Sequence, residues 1–480
     1  MLLSLPSIAG RVVGTAWHAR HHAQRTFCCF SLFAPLPSSS SSGISSSSTL
    51  STSYSTFTFV ATMGNGDYGR LGHGEACENV EVPRICSKLL SLKNKEQDVA
   101  GDGGGDGGGM VDICKISSGG AHTLLLDKEG QVYSMGLNER GQLGQGTEEP
   151  YVCEPRKVKG ISSPVKEVAA GRDHSVCISV DGRVWVSGCN KKGKLGLGRR
   201  SAGMYDTFQQ NEYLSDHEMS KVALGAGHTL TLSKNGEIFS WGSSSYGVLG
   251  HGMSKTFVFI RSKDEWVPRK LQALDDTKIR SIVAGDSYSG CIDSNGRVYT
   301  WGQGSFWKLG LEKDVDVWYP QQVEGLHFVK KLAFGFSHSM ALTYNGDVYV
   351  WGTNESGCLG LGRNDGKSKN KRNTRHPLKL ELEDDIVDIS CGWKHSAAVT
   401  RDGKLLTWGW GGSMGTSSMF DSGGQLGHNN AFDYWEPTVA AFPSLSLTTE
   451  EGKKEEKAQL VADAVSCGFN HTTALYSYCP

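Results

Sequence analysis

Acidic residues are missing from the first 66 positions; the first is Asp67. The 13 cysteines include no Cys-x-x-Cys pair, so neither a zinc-finger spacing nor a thioredoxin-type motif is present. An odd, unpatterned set in a long chain reads as free thiols in a reducing compartment, several of them small buried hydrophobes such as Cys177 and Cys291. No apolar run approaches the ~18 residues that a membrane-spanning helix needs. The formal net charge of -1 gives no sign of a globally basic nucleic-acid binder. Proline is sparse, at 13 residues, whereas glycine is abundant, at 62. Many glycines with frequent tryptophan point to short strands joined by tight turns.

The acid-free leader carries Arg11, Arg20 and Arg25, and 13 serines between Ser31 and Ser55. Arginine-bearing and serine-rich without acids is the composition of an organelle transit peptide. A cationic segment is drawn toward a compartment that is negative inside, and carboxylates would oppose it. Residues 1–56 are therefore expected to be a disordered address, for the mitochondrial matrix first and the plastid second. Residues 57–480 are expected to form one domain.

That domain repeats. Seven segments carry a glycine followed three residues later by histidine: Gly119/His122, Gly171/His174, Gly225/His228, Gly285/Tyr288, Gly335/His338, Gly392/His395 and Gly468/His471. Only Tyr288 departs. Six repeats then place a turn glycine, as in Asp181-Gly182 and Asn345-Gly346, which predicts hairpins with type I′ turns. The return strand is apolar and ends in glycine, preceded in four repeats by Trp241, Trp301, Trp351 and Trp408. A Leu-Gly pair follows, from Leu71-Gly72 to Leu426-Gly427. In six repeats a proline then opens an extended segment (Pro83, Pro155, Pro268, Pro320, Pro377, Pro437).

Anchors lie 50 to 76 residues apart, so each unit is a few short strands that must stack on neighbours. The last unit has its anchor and one strand. Its missing return strand and Leu-Gly pair occur at the other end, from Phe57 to Gly72. The expected fold is all-β: a seven-bladed β-propeller closed by an N-terminal strand pairing with the C-terminal blade.

Segments such as "AGRDHSVCISVDGRVWVSGCNKKGKLGLG" recur in register over about Phe57 to Pro480. This pattern resembles the regulator of chromosome condensation repeat family, which includes the nuclear Ran exchange factor and the plant UV-B receptor. The resemblance implies a seven-bladed propeller of four-stranded blades. The UV-B receptor depends on clustered tryptophans two residues before the anchor histidine. Here that position holds Gly120, Arg172, Ala226, Asp286, Phe336, Trp393 and Phe469. A single tryptophan is not expected to form a coupled cluster.

No enzymatic constellation, cofactor or metal is expected. The repeated histidines occur once per blade, which suits blade-stabilising hydrogen bonds. The loop 362–368 resembles a P-loop but lacks one residue and any strand-to-helix context. Candidate contacts lie where the repeat breaks. The first is a basic loop holding Lys367, Lys369, Lys371, Arg372 and Arg375, a candidate surface for a protein or RNA. The second is Asn190 to Arg200, with five further cations, and the third is the long loop 410–421, with Met414, Met419 and Phe420. By resemblance, the expected role is a non-enzymatic organellar scaffold for proteins and RNA-processing factors, acting as a monomeric ring. Guanine-nucleotide exchange on a small GTPase is the alternative, and a ubiquitin-ligase adaptor a third.

Overall fold

The computed structural model describes residues 58–479 apart from 75–76, 91–110, 200–202, 254–262, 364–372, 413–422, 444–445, 449–454 and 458. The leader 1–56 and the glycine-rich stretch 101–109 lie outside the described residues. Seven four-stranded antiparallel sheets follow one another. Blade 1 comprises Ile113–Ser118, His122–Asp127, Val132–Leu137 and Tyr151–Lys157. Blades 2 to 6 repeat this order and end at Val439. The first strand of each blade touches the first strand of both neighbouring blades, so these seven strands form the innermost circle. The fourth strand is the outer edge, and it carries all six repeat prolines. They sit within that strand rather than at its start. An edge position tolerates them because it has no outward ladder partner to lose.

Blade 7 is built from both ends of the chain. Gln459–Cys467 and His471–Cys479 supply its inner strands, and Thr58–Gly64 and Val80–Ile85 its outer ones. Thr58–Gly64 closes the ring as the sequence suggests, and Val80–Ile85, the extended segment around Pro83, pairs outside it. Thr58–Gly64 pairs with the C-terminal strand over its whole length, from Thr58 opposite Ser477 to Gly64 opposite His471.

The hairpins differ from expectation. Their glycines have positive φ (Gly130 85°, Gly182 84°, Gly346 87°), but the residue before each does not. The turn is therefore a type I turn followed by a left-handed glycine, in a three-residue loop such as Lys128-Glu129-Gly130. Asp127 closes that loop by accepting from the Gln131 N–H at 2.7 Å. A side-chain acceptor at the loop entrance stabilises this longer turn, which the Asp-Gly and Asn-Gly pairs alone do not distinguish from type I′.

The anchor histidines link blade to blade. Ser175 Oγ donates to the Gln142 carbonyl at 2.6 Å, which uses its only proton. His122 Nε2, 2.9 Å from the same oxygen, must therefore be the donor. The arrangement recurs through His174–Thr229, His228–Ser289, His338–Ser396 and His395–Thr472. It returns to the start through His471–Thr123, at 3.2 Å. In blade 4, Tyr288 spans the same gap by donating its hydroxyl to the His338 carbonyl at 2.7 Å. The anchor glycine makes room for the ring: a Cβ on Gly335 would lie 2.5 Å from His338 Cε1.

Tryptophans add a second link. Trp241, Trp301, Trp351 and Trp408 are fully buried. Each indole N–H donates to a carbonyl of the preceding blade at 2.8–3.1 Å. Each ring lies against the glycine of a Leu-Gly pair; a Cβ on Gly310 would sit 2.9 Å from Trp351 Nε1. Hydrophobic clusters accordingly straddle blade boundaries rather than lying within blades. A modest test is Tyr288→Phe, which removes one inter-blade hydrogen bond while keeping the ring stacked on Phe334 at 4.5 Å. Urea unfolding is expected to show a loss of about 1 kcal/mol.

Candidate functional site

Strands alternate in direction, so the turns between first and second strands share a face with the loops between third and fourth. We call this the loop face; the three-residue hairpins occupy the other. The departures from the repeat at 190–200, 366–376 and 410–421 all belong to third-to-fourth-strand connections. Of the five predicted contact residues, Lys367, Lys369, Lys371 and Arg372 lie outside the described residues. Arg375 is described, and it is not a free cation. Its guanidinium lies 5.3 Å from the centre of the Trp307 ring of the preceding blade. Its carbonyl accepts from the Glu312 N–H. The sequence grouped it with the basic loop, whereas the strand Thr374–Leu380 already includes it. Met414, Met419 and Phe420 also lie outside the described residues.

The loop face contains a cavity of about 670 Å³ over blades 1 to 5. Arg140, Arg172, Lys191 and Lys192 line it, together with Tyr246 and Phe306. Among the described residues, none of these four cations is in an ion pair; Lys192 Nζ meets the hydroxyls of Ser243 and Ser245, each at 3.2 Å. Asp173 is neutralised by the buried Lys194. The 190–200 segment predicted from sequence therefore reaches the cavity through Lys191 and Lys192.

Across the same face runs a row of aromatic rings. Trp393 stacks on Phe469 (4.3 Å, 14°) and meets Trp410 edge-on at 5.5 Å. Phe336 lies 6.4 Å from Trp393 and 6.4 Å from Phe306. This corrects the expectation that one tryptophan forms no cluster. The signal was present in sequence, because Phe336, Trp393 and Phe469 occupy one repeat position. Counting only tryptophans hid it, and Trp410 joins from a different loop. Beneath the row, Lys308 is fully buried. Its amine reaches Gln303 Oε1 at 2.6 Å and lies 5.3 Å from the Tyr288 ring centre. Burial pulls its pKa down to about 8.

One position on this face is strained. In the short turn after the third strand, Tyr68, Lys192, Tyr246, Phe306 and Ser356 hold φ between 54° and 67°. The left-handed region costs a non-glycine residue about 1 kcal/mol or more. Tyr68, Tyr246 and Phe306 nevertheless stand 37–45% exposed. Cations, donors and open rings equip this face for recognition. Among the described residues, no three His, Cys, Asp or Glu side chains gather as a metal site.

Residues 59–474 match the family model described as the RCC1-like domain, and the chain belongs to that family. It is 28% identical to the ultraviolet-B receptor UVR8 of Arabidopsis thaliana over 402 residues, spanning 84% of this chain and 69% of the receptor. It is 31% identical to human protein RCC2 over 225 residues, 43% of this chain and 42% of that protein. Human E3 ubiquitin-protein ligase HERC2 is 34% identical over 222 residues, only 4% of its own length. Among solved structures, Prp20p of Saccharomyces cerevisiae superposes with a TM-score of 0.70 at 22% identity, covering 88% of this chain and 92% of that one. Human WBSCR16 gives 0.65 at 22% identity, covering 88% and 99%. At that identity these two structures share the fold.

Proposed function

We propose that this member of the RCC1-like family is a non-catalytic scaffold that binds protein partners through its loop face. The proposed setting is an organelle, the mitochondrial matrix first, in gene expression there: RNA processing, or assembly of ribosomal or respiratory complexes. The observation that carries the partner-binding reading is the strained rim. Four blades hold bulky or charged side chains (Tyr68, Lys192, Tyr246, Phe306), and a fifth Ser356, where glycine would relieve the backbone; three of these side chains are aromatic and exposed. Strain kept at exposed positions of one face is a mark of function rather than of stability. Arg140, Arg172, Lys191 and Lys192, without ion pairs among the described residues, outnumber Asp286 in the adjoining cavity and give the face a preference for acidic partners. The organellar setting rests on the acid-free, arginine- and serine-bearing leader.

Affinity purification of the tagged chain from mitochondria tests this reading. Organelle RNA-processing, ribosomal or respiratory-assembly proteins should be retained, and the combined substitution Arg140→Glu, Arg172→Glu and Lys191→Glu should release them. Recovering none of these classes with the unaltered chain would sink the proposal. Tyr246→Gly separates function from folding. Its stability should rise by about 0.5–1 kcal/mol as the strain is relieved, while partner capture falls. Imaging residues 1–60 fused to a fluorescent protein tests the address, and a diffuse cytosolic signal would refute it.

A second reading is guanine-nucleotide exchange on a small GTPase. Prp20p, whose fold this chain shares, is described by its binding to Gsp1p and histones. Exchange needs only a surface that favours the nucleotide-free state. Release of labelled GDP from candidate GTPases distinguishes the two readings.

A further inference from the structure

Each blade's third-to-fourth-strand loop sends one backbone N–H to the fourth strand of the next blade. The acceptors are the carbonyls of Cys153, Asp206, Trp266, Trp318, Arg375, Trp435 and Glu81. These residues occupy one structural position, and in three blades it is tryptophan. At the boundary between blades 7 and 1 it is Cys153, and a second cysteine, Cys77, fills the space beside it. The two Sγ atoms lie 3.7 Å apart, though 76 residues separate them in sequence. Both cysteines are half-buried.

The backbone is closely packed around Cys153, and on the Cys77 side a Cβ on Gly66 would overlap the Glu78 carbonyl. The Gly74 N–H donates to the Cys153 carbonyl at 3.0 Å. Gly69 lies against the Cys153 backbone so closely that a Cβ there would overlap it. Tyr68 meets Tyr151 edge-on at 6.4 Å, and Lys88 pairs with Glu154 at 3.0 Å. To form a disulfide the sulfurs must close from 3.7 Å to the bonding distance of about 2.05 Å.

We propose that Cys77 and Cys153 are a covalent modification site: a reversible disulfide that fastens the blade 7 loop to blade 1. The oxidant is a low-molecular-weight disulfide such as oxidised glutathione. The Cys77 thiolate attacks one of its sulfurs, forming a mixed disulfide and releasing one thiol. The Cys153 thiolate then attacks Cys77 Sγ and expels the second thiol. Two protein thiols are oxidised and one small disulfide is reduced to two thiols. Burial, and next the neighbouring Cys77, push the Cys153 thiol up to about 11, so crosslinking should speed up as the pH is raised. The free-thiol reading of the sequence holds for the reduced chain, and this pair is where it gives way under oxidation.

The test uses the full chain, folded, with oxidised glutathione as the probe. Non-reducing peptide mapping should recover the Cys77 and Cys153 peptides joined, with the loss of two hydrogens. The melting temperature should rise by about 4 °C, as expected for a closed loop of this length in a ring of this size, and reductant should reverse it. Cys77→Ser and Cys153→Ser should each abolish the crosslink and the shift. The double serine variant, measured without oxidant, checks that the substitutions leave folding intact. Glutathione attached at saturation to either cysteine without a crosslink would overturn the proposal. So would a joined peptide that appears only after unfolding in urea.

Discussion

Lowering the pH from 7.5 to 5.5 is expected to bring the propeller to the edge of unfolding, well above the range in which carboxylates titrate. Six anchor histidines are completely buried. Each donates Nε2–H to a neighbouring blade, so a second proton would have to go to Nδ1. In His122, His338, His395 and His471 that atom is buried without a hydrogen-bond partner among the described residues, and in His174 it lies 3.9 Å from Asp173 Oδ1. Burial pulls the pKa of His122 and His338 down to about 4 and of His228 and His395 to about 3. It moves His174 and His471 in the same direction. The folded values lie below the unfolded value near 6.5, so the unfolded chain binds protons first as the pH falls. Their contribution is present in full above pH 6.5 and is lost progressively toward pH 4 and below. His122, His228, His338 and His395 each give up about 1.3 kcal/mol by pH 5.5, on the order of 5 kcal/mol together, and His174 and His471 add to the loss. That is comparable with the whole stability of a typical domain. Urea titrations at pH 7.5, 6.5 and 5.5 should show the midpoint falling steeply, with several protons taken up on unfolding at pH 5.5. An unchanged midpoint over this range would refute the linkage.

A chain beginning at residue 57 is expected to fold, and one beginning at residue 65 is not. The seven residues Thr58–Gly64 pair on one side with the C-terminal strand and on the other with Val80–Ile85. Phe59, Val60 and Met63 are buried in clusters that join blade 7 to blades 6 and 1. Losing these three side chains alone removes about 6 kcal/mol of burial, and the ladder is lost with them. Without this strand blade 7 is split, the ring is open, and two unpaired edges face water. Circular dichroism with heating should show a cooperative transition for the longer chain and none for the shorter. A peptide of residues 57–90 added to a chain of residues 91–480 should restore the transition. A cooperative melt of the residue-65 chain by itself would show that the closure is dispensable.

The fold was legible because each repeat position serves one contact. The Gly-x-x-His anchor is readable since the imidazole needs both the absent Cβ and a hydroxyl in the next blade. The Leu-Gly pair is readable since a buried indole or thioether must pass over it. Less was legible where contacts depend on chain segments that are distant in sequence. Turn type depended on an acceptor such as Asp127, outside the two turn residues. The Trp393–Trp410 contact joins two loops of one blade. The meeting of Cys77 and Cys153 follows from ring closure, which the repeats revealed without showing which side chains it brings together. The basic loop was read from charge alone. Its described member, Arg375, turned out to be committed to Trp307 by a strand register that charge does not reveal. The cavity cations Lys191 and Lys192 were found in sequence. Arg140 and Arg172 were not, because they stand singly in otherwise regular repeats.

The split blade also constrains how the chain is made. The strand Thr58–Gly64 leaves the ribosome long before its partner His471–Cys479, with 407 residues (471 − 64) of synthesis between them. At about 5–20 residues per second this is a wait of roughly 20–80 s. Throughout that time a hydrophobic strand, TFVATMG, has no partner on its C-terminal side. Such a strand is a template for wrong pairing. Synthesis of His471–Cys479 therefore ends the vulnerable period of Thr58–Gly64, so a ribosome stalled before residue 471 would leave the ring open.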